Sequence, residues 1–321
     1  MTTYLHNDKE KFYETMMYTY NQTKFPYEAL EKDYYVTMLL KLLTDKIPYI
    51  VFKGGTSLSK CYKVIKRFSE DIDITIDDNL TQGQKKRVKQ AIIDSAAEIG
   101  MTIDNIENIR SRRDYNRYLI SYKTIIPSKD KILSTTIILE TSYISVSFPT
   151  NVLSVSSFIG DELLKGKQSV IDDYNLYPFD MKVQGLERTF VDKIFAICDY
   201  YLQDNINKHS RHLYDVYKLL PYIHLDNDFR SFIGDVRKER SKSAVCVSSA
   251  PEYDISELLN RIIDEDAYKQ DYETITSLLL EEKVTYKDVV KALKQIVDSG
   301  LFWNSTTVKH VIVWLLLDAV F

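Results

Sequence analysis

Cysteine is nearly absent from this chain. Three residues in 321, Cys61, Cys198 and Cys246, are odd in number, far apart and outside any Cys-x-x-Cys or Cys/His cluster. That excludes a disulfide framework and a zinc knuckle, and points to a reducing cytoplasm. Glycine and proline are scarce, at nine and seven. With no low-complexity tract and no internal repeat, the chain is expected to be rich in ordered elements. Long apolar runs are lacking too. The closing "VKHVIVWLLLDAVF" is shorter than the roughly 20 residues a bilayer span needs, and Lys309 and Asp318 interrupt it, so it reads as a buried closing helix with no membrane role. The polar opening "MTTYLHNDKEKFYE" predicts no signal peptide. A formal net charge of −4 excludes a polycationic nucleic-acid coat, although RNA binding needs only a local basic patch.

What is present is a normal globular composition, 45% hydrophobic and 27% charged, in a length that suits one large domain or two ordinary ones. The 24 tyrosines read as amphipathic core and rim residues, with base stacking as the alternative. Residues 50–76, "IVFKGGTSLSKCYKVIKRFSEDIDITI", carry the chemistry. "YIVF" reads as a buried strand, Lys53-Gly54-Gly55-Thr56 as a tight turn and "SLSKCYKVI" as the helix after it. Glycines there let backbone approach a ligand, and free N–H groups at a helix start can cradle phosphate. "FSEDIDITI" alternates, so Ser69, Asp71 and Asp73 share one strand face while Ile72, Ile74 and Ile76 take the other. Two carboxylates about 7 Å apart along a strand can share a hard divalent cation. Asp-x-Asp alone describes many surface strands; a phosphate turn beside it does not.

The spacing predicts helices over 8–46 and, after Thr81 as N-cap, over a segment closed by Gly100. A strand pair is expected over 101–125, and "TTIILETSYIS" at 135–145 as a strand with Ile138, Glu140 and Ser142 on one face. Residues 152–183 read as irregular, 185–220 as helical, and "RKERSKSAVCVSSAPEYD" at 237–254 as a mobile loop ahead of two or three amphipathic helices. Lys85, Lys86, Arg87 and Lys89 with Arg110, Arg112, Arg113 and Arg117 form the most basic region, either a solvated face or a surface for an RNA backbone. Arg211 and Asp215, four apart, share a helix face.

A Gly-Gly turn and helix ahead of an Asp-x-Asp strand resembles motif I of the polymerase-β-like nucleotidyltransferases. The wording "KGGTSLSK" then "RFSEDIDI" is similar to the AbiEii/AbiGii toxin family, which includes the MenT-type toxins, and the likeness extends over most of residues 35–220. It implies an α/β (α+β) fold: a nucleotidyltransferase core with a mixed sheet over 1–183, and an α-helical domain over 184–321 that contributes to the active site. It implies Mg²⁺ or Mn²⁺ on Asp71 and Asp73, with Glu140 as the third carboxylate or, alternatively, a lone strand carboxylate. Gly54, Gly55, Thr56 and Ser57 would hold NTP phosphates, with Lys53 and Lys60 second choices and Ser69 and Arg211 also lining the nucleotide site. Lys193 would bring positive charge to the triphosphate and Asp215 would orient it. His212 stands where the family's "R-D-x-x-D" helix has an acid, which removes that acid's role and leaves Asp215 in place. The function implied is a cytoplasmic toxin that transfers nucleotides to RNA, at the tRNA acceptor end, and is held by an antitoxin. The 85–117 region and the 237–242 loop are candidate RNA contacts, and phosphorylation of Ser69 is expected to silence the enzyme. Nucleotidyl transfer to a protein hydroxyl and a non-catalytic NTP-binding module are the competing functions.

Overall fold

A computed structural model describes residues 3–69, 71–76, 80–126, 133–143 and 148–303. The predicted closing helix at the C-terminus lies outside them. The chain divides into two compact units, residues 1–63 with 68–185 and residues 64–67 with 186–321. Val64–Arg67 thus groups with the second unit although the sequence places it within the first.

In the first unit α1 (Lys9–Thr23) and α2 (Tyr27–Lys46) precede β1 (Ile50–Lys53), α3 (Gly54–Lys60) and β2 (Ile72–Ile76). Then follow α4 (Gln82–Glu98), β3 (Thr102–Ile103), β4 (Tyr115–Ser121), β5 (Thr136–Ser142), β6 (Thr150–Val155), α5 (Phe158–Leu163), α6 (Gln168–Tyr174) and β7 (Phe179–Gln184). The strands form a mixed sheet ordered β3-β4-β5-β2-β1-β7-β6. β1 is antiparallel to β2 and parallel to β7, and β2 is parallel to β5. Thr81 caps α4 through a capping box with Gln84, and Gly100, at φ +68°, turns the chain after it, as the sequence predicts.

Helix α2 is buried along nearly its whole length, so it packs as a core helix, and its charged residues must find partners there. Glu31 accepts from the Thr124 hydroxyl (2.6 Å) and the Ile125 N–H (2.8 Å). Lys32 donates to the Ser134 carbonyl at 2.8 Å, and Asp33 accepts from the Phe158 N–H at 2.8 Å. The isoleucine face of β2 joins this core, with Ile72, Ile74 and Ile76 all buried, which sends Asp73 to the opposite face.

Residues 152–183 are not irregular. They form most of β6, two helices and β7, all too short or too exposed to show a period. β6 lies at the sheet edge with Val152 66% exposed, while α5 and α6 span six and seven residues, at most two turns.

In the second unit α7 (Leu186–Leu202) packs on α8 (Arg211–Leu219), followed by α9 (Asn227–Arg240), α10 (Ile255–Asp264), α11 (Lys269–Thr274) and α12 (Tyr286–Asp298). The Val64–Arg67 segment is stitched in by the Lys66 N–H donating to Tyr214 Oη (2.8 Å) and the Glu281 N–H donating to the Lys66 carbonyl (3.0 Å). The expected mobile loop at 237–254 is corrected as well. Its first residues finish α9, and Arg237 donates to the carbonyls of Ser249 (3.1 Å), Ala250 (2.6 Å) and Tyr253 (2.6 Å). Arg240 is held by Asp192 (3.0 Å) and Asp199 (2.7 Å), and the latter also accepts from the buried Ser248. Arg237 and Arg240 are thus engaged with carbonyls and carboxylates, while Lys238 and Lys242 of the same stretch are exposed.

Candidate active site

The predicted site residues fall into two groups, one in each unit. In the first, sheet register does the positioning. Lys53 on β1 faces Asp73 on β2, Asp73 faces Glu140 on β5, and Glu140 faces Arg117 on β4. Directly paired residues put their side chains on the same face, so four charged groups form one row across four strands, about 14 Å from end to end at the usual strand spacing. The two carboxylates are the middle pair. Like charges directly opposite are destabilising unless a cation lies between or beside them. Here Lys53 flanks one carboxylate, and Arg117 stands 3.6 Å from Glu140, in a loose contact with side chains 52% and 34% exposed. The exposed ring of Tyr115 shares this face two residues before Arg117; burial first, then the Glu140 charge, pushes its phenol up.

The Gly54 turn closes on the same row. Gly54 has φ +79°, and a Cβ built there would meet Asp73 Oδ2 at 2.0 Å, so the carboxylate rests against the bare glycine. Thr56 is buried at the start of α3, its Oγ1 donating to the Asp71 carbonyl (2.5 Å) and bonded to Ser69 Oγ (3.0 Å). These bonds tie the helix to the entry of β2 and fix Asp71, which stands one residue before the strand. The Ser57 hydroxyl donates to the Gly54 carbonyl (2.8 Å), bracing the turn from inside, and Gly55 is half-buried beside it. Lys60 departs from expectation. It turns into the core, its side chain 3% exposed and ion-paired with Asp33, and is not a phosphate ligand.

In the second unit Asp215 is fully buried and takes three bonds from two cations. Arg67 grips it through Nε (2.7 Å) and Nη2 (2.8 Å), and Lys193 Nζ lies 2.7 Å from Oδ2. Burial alone would raise the Asp215 carboxyl; Arg67, then Lys193, overcome that and hold it below the ordinary carboxylate range. Burial lowers Lys193, with Asp215 opposing. His212 Nδ1 lies 3.4 Å from Lys193 Nζ, and burial, then the Lys193 charge, push that imidazole well below its usual value. Arg211 opens α8, half-buried. The sequence reading missed Arg67. Its signal was an arginine four residues ahead of Asp71, but nothing local says that the partner lies 148 positions away.

Among the described residues no cluster of three or more metal-ligating side chains occurs. A magnesium ion does not require one, since it is usually bound through one or two carboxylates plus substrate phosphates and water. The paired oxygen donors of Asp73 and Glu140, half-exposed beside a glycine turn, fit that chemistry. No helix among the described residues is long and apolar enough to cross a membrane.

No curated protein matches the sequence significantly. Among solved structures, the fold is similar to MenT4, a nucleotidyltransferase toxin from Mycobacterium tuberculosis H37Rv, at TM-score 0.51 and 14% identity, covering 92% of this chain and 91% of that one. Residues 41–298 match the family described as nucleotidyl transferase AbiEii toxin, type IV toxin–antitoxin system, a span that takes in both groups of charged residues. The chain therefore belongs to the AbiEii nucleotidyltransferase toxin family.

Proposed function

We propose that this toxin transfers a nucleotidyl group from an NTP to the terminal hydroxyl of an RNA, the acceptor end of tRNA, and thereby blocks translation until an antitoxin restrains it. The observation that carries the reading is the in-register pair Asp73 and Glu140 with Gly54 packed on the first of them. Asp71, Asp73 and Glu140 would hold Mg²⁺, or Mn²⁺ in its place, which neutralises charge building up on the triphosphate as the bond to the leaving group breaks.

The chain's own residues do the rest. The half-buried Gly54-Gly55 backbone, with Thr56 behind it, would take the β- and γ-phosphates, and Lys53, at the same end of the row, would add charge there. Ser57 and Thr56 act from beneath, keeping the turn and β2 in register. The acceptor hydroxyl attacks the α-phosphorus, the α–β phosphoanhydride bond breaks, pyrophosphate departs, and the hydroxyl proton passes to a carboxylate of the row. Glu140, on the side away from the turn, is the acceptor of that proton. In the second unit Asp215 holds Lys193 at 2.7 Å, which supports its orienting the lysine, with Lys193 and Arg211 assigned to the triphosphate.

The test is incubation of the purified protein with each α-³²P-NTP, Mg²⁺ and total tRNA, beside Asp73→Ala and with total protein as a rival acceptor. Label moving to tRNA, abolished by the substitution and by EDTA, is expected and names the base. Label on protein alone would replace the RNA acceptor, and NTP binding without transfer would leave a nucleotide-binding module.

A further inference from the structure

The row of charged residues has two ends, and only one is used by the nucleotide. Resting on the nucleotidyl-transfer reading, we propose that the other end, Arg117 and Tyr115 on β4, is the acceptor subsite: Arg117 binds the phosphodiester preceding the RNA's terminal nucleotide, and the Tyr115 ring stacks on its terminal base.

Four observations carry this. First, the order across the sheet is turn, Asp73, Glu140, Arg117, so the carboxylate pair lies between the phosphate turn and the arginine. In-line displacement requires the leaving group and the attacking hydroxyl on opposite sides of the phosphorus, and a row with cations at both ends and carboxylates between has that polarity. Second, Arg117 is weakly held. A 3.6 Å contact between two half-exposed side chains contributes little, so a phosphate can draw the guanidinium away from Glu140. Third, Tyr115 is 47% exposed and stands two residues before Arg117 on the same face of β4, which presents a ring beside the row.

Fourth, β4 emerges directly from the basic surface, and that connection is built in. Buried Asn116 accepts from the Arg110 N–H and donates to the Arg110 carbonyl, both at 3.0 Å, pinning the loop that carries Arg110, Arg112 and Arg113 to the strand. Helix α4 is fastened to the same loop by Lys85 on Asp114 (2.8 Å) and Lys89 on the Ile109 carbonyl (3.0 Å), leaving Lys86 and Arg87 exposed beside them. An RNA backbone lying on the exposed arginines of this loop therefore meets β4 at Tyr115, two residues before Arg117.

The test separates the two substrates. Initial rates are measured at varied tRNA and at varied NTP for wild type, Arg117→Gln, Tyr115→Ala and Tyr115→Phe, each checked for an unchanged melting temperature. Expected are rises of about tenfold in the KM for tRNA with Arg117→Gln and Tyr115→Ala, near-normal behaviour of Tyr115→Phe, and a KM for NTP within twofold of wild type throughout; each figure is of the order that one phosphate contact or one stacked base supplies. An unchanged KM for tRNA, or an equal rise for NTP, overturns the subsite, as does transfer to protein alone. Failure of the underlying reading has another signature: wild type transfers nothing, and Asp73→Ala leaves Mg²⁺-dependent NTP binding unaltered. The subsite is then judged by fluorescence anisotropy of a 5′-labelled single-stranded RNA, and undiminished binding in Arg117→Gln and Tyr115→Ala refutes it.

Discussion

Two carboxylates assigned to the same reaction live in opposite environments. Glu140 is one-third exposed, 3.6 Å from its arginine. Asp215 is fully buried, gripped by Arg67 and Lys193 at 2.7–2.8 Å. An exposed, loosely paired carboxylate costs little to recruit, because its partner can be exchanged for a ligand and water fills in behind. A buried one with three charge-assisted bonds is fixed, and its removal takes a shared carboxylate from two desolvated cations. The first arrangement suits a group that must meet substrate and metal; the second suits a group whose work is to hold others in place. On the proposed function Asp215 would be a positioning residue, and its substitution should be felt in the fold before it is felt in the chemistry.

The sharpest way to break this contrast is Asp215→Ala. It removes the carboxylate that buried Arg67 and Lys193 share, and the expected loss is about 3–5 kcal/mol from the second unit. Trp303 lies in that unit, so chemical denaturation followed by tryptophan fluorescence reads it directly. A loss below about 1 kcal/mol would mean that the cluster opens to solvent and that the comparison is mistaken.

Gly54→Ala comes next, and it divides its effect differently. A left-handed backbone costs an alanine about 1–2 kcal/mol, and the new methyl group must displace the Asp73 carboxylate, whose Oδ2 lies 2.0 Å from its place. The side chain can swing aside, so stability should fall only by the backbone term, whereas nucleotidyl transfer should fall at least about a hundredfold because a 1 Å displacement at a reacting centre is that costly. Transfer retained at wild-type rate, with the strain visible in the melting temperature, would dissociate Asp73 from the reaction.

How much of this was legible beforehand follows from where each signal resides. The turn, the Asp-x-Asp alternation and the β5 alternation are local patterns, and Gly54, Asp73 and Glu140 stand where those patterns predict, on one face of one sheet. What the sequence could not show is that Asp73 and Glu140 are in register, since pairing across strands 67 residues apart is set by the isoleucine and leucine faces packing on α2, not by the carboxylates. Arg67 and Lys60 illustrate the same limit from the other side. Both are basic residues near a phosphate turn, and only tertiary placement sends one to Asp215 and the other to Asp33. The 237–254 segment misled because its serine- and alanine-rich composition reads as loop, while its order comes from Arg237 and Arg240 bonding to distant carbonyls and carboxylates.

The smallest expected effect tests the exposed side of the comparison. Glu140→Gln removes one of two like charges facing each other across β2 and β5, a gain of about 0.2–1 kcal/mol, and also removes its loose pairing with Arg117, a loss of similar size. The two nearly cancel, so the melting temperature without ligand should stay within about 2 °C of wild type, as a difference of a few tenths of a kcal/mol implies. Transfer, in contrast, should collapse, because a neutral amide can neither take the proton nor share a dication. Adding Mg²⁺ and NTP should then raise the melting temperature of wild type by more than that of the variant, since binding to the folded state stabilises with the logarithm of ligand concentration over Kd. If instead the variant melts several degrees lower while ligand stabilises both proteins equally, Glu140 is a structural partner of Arg117, and the metal rests on β2 alone.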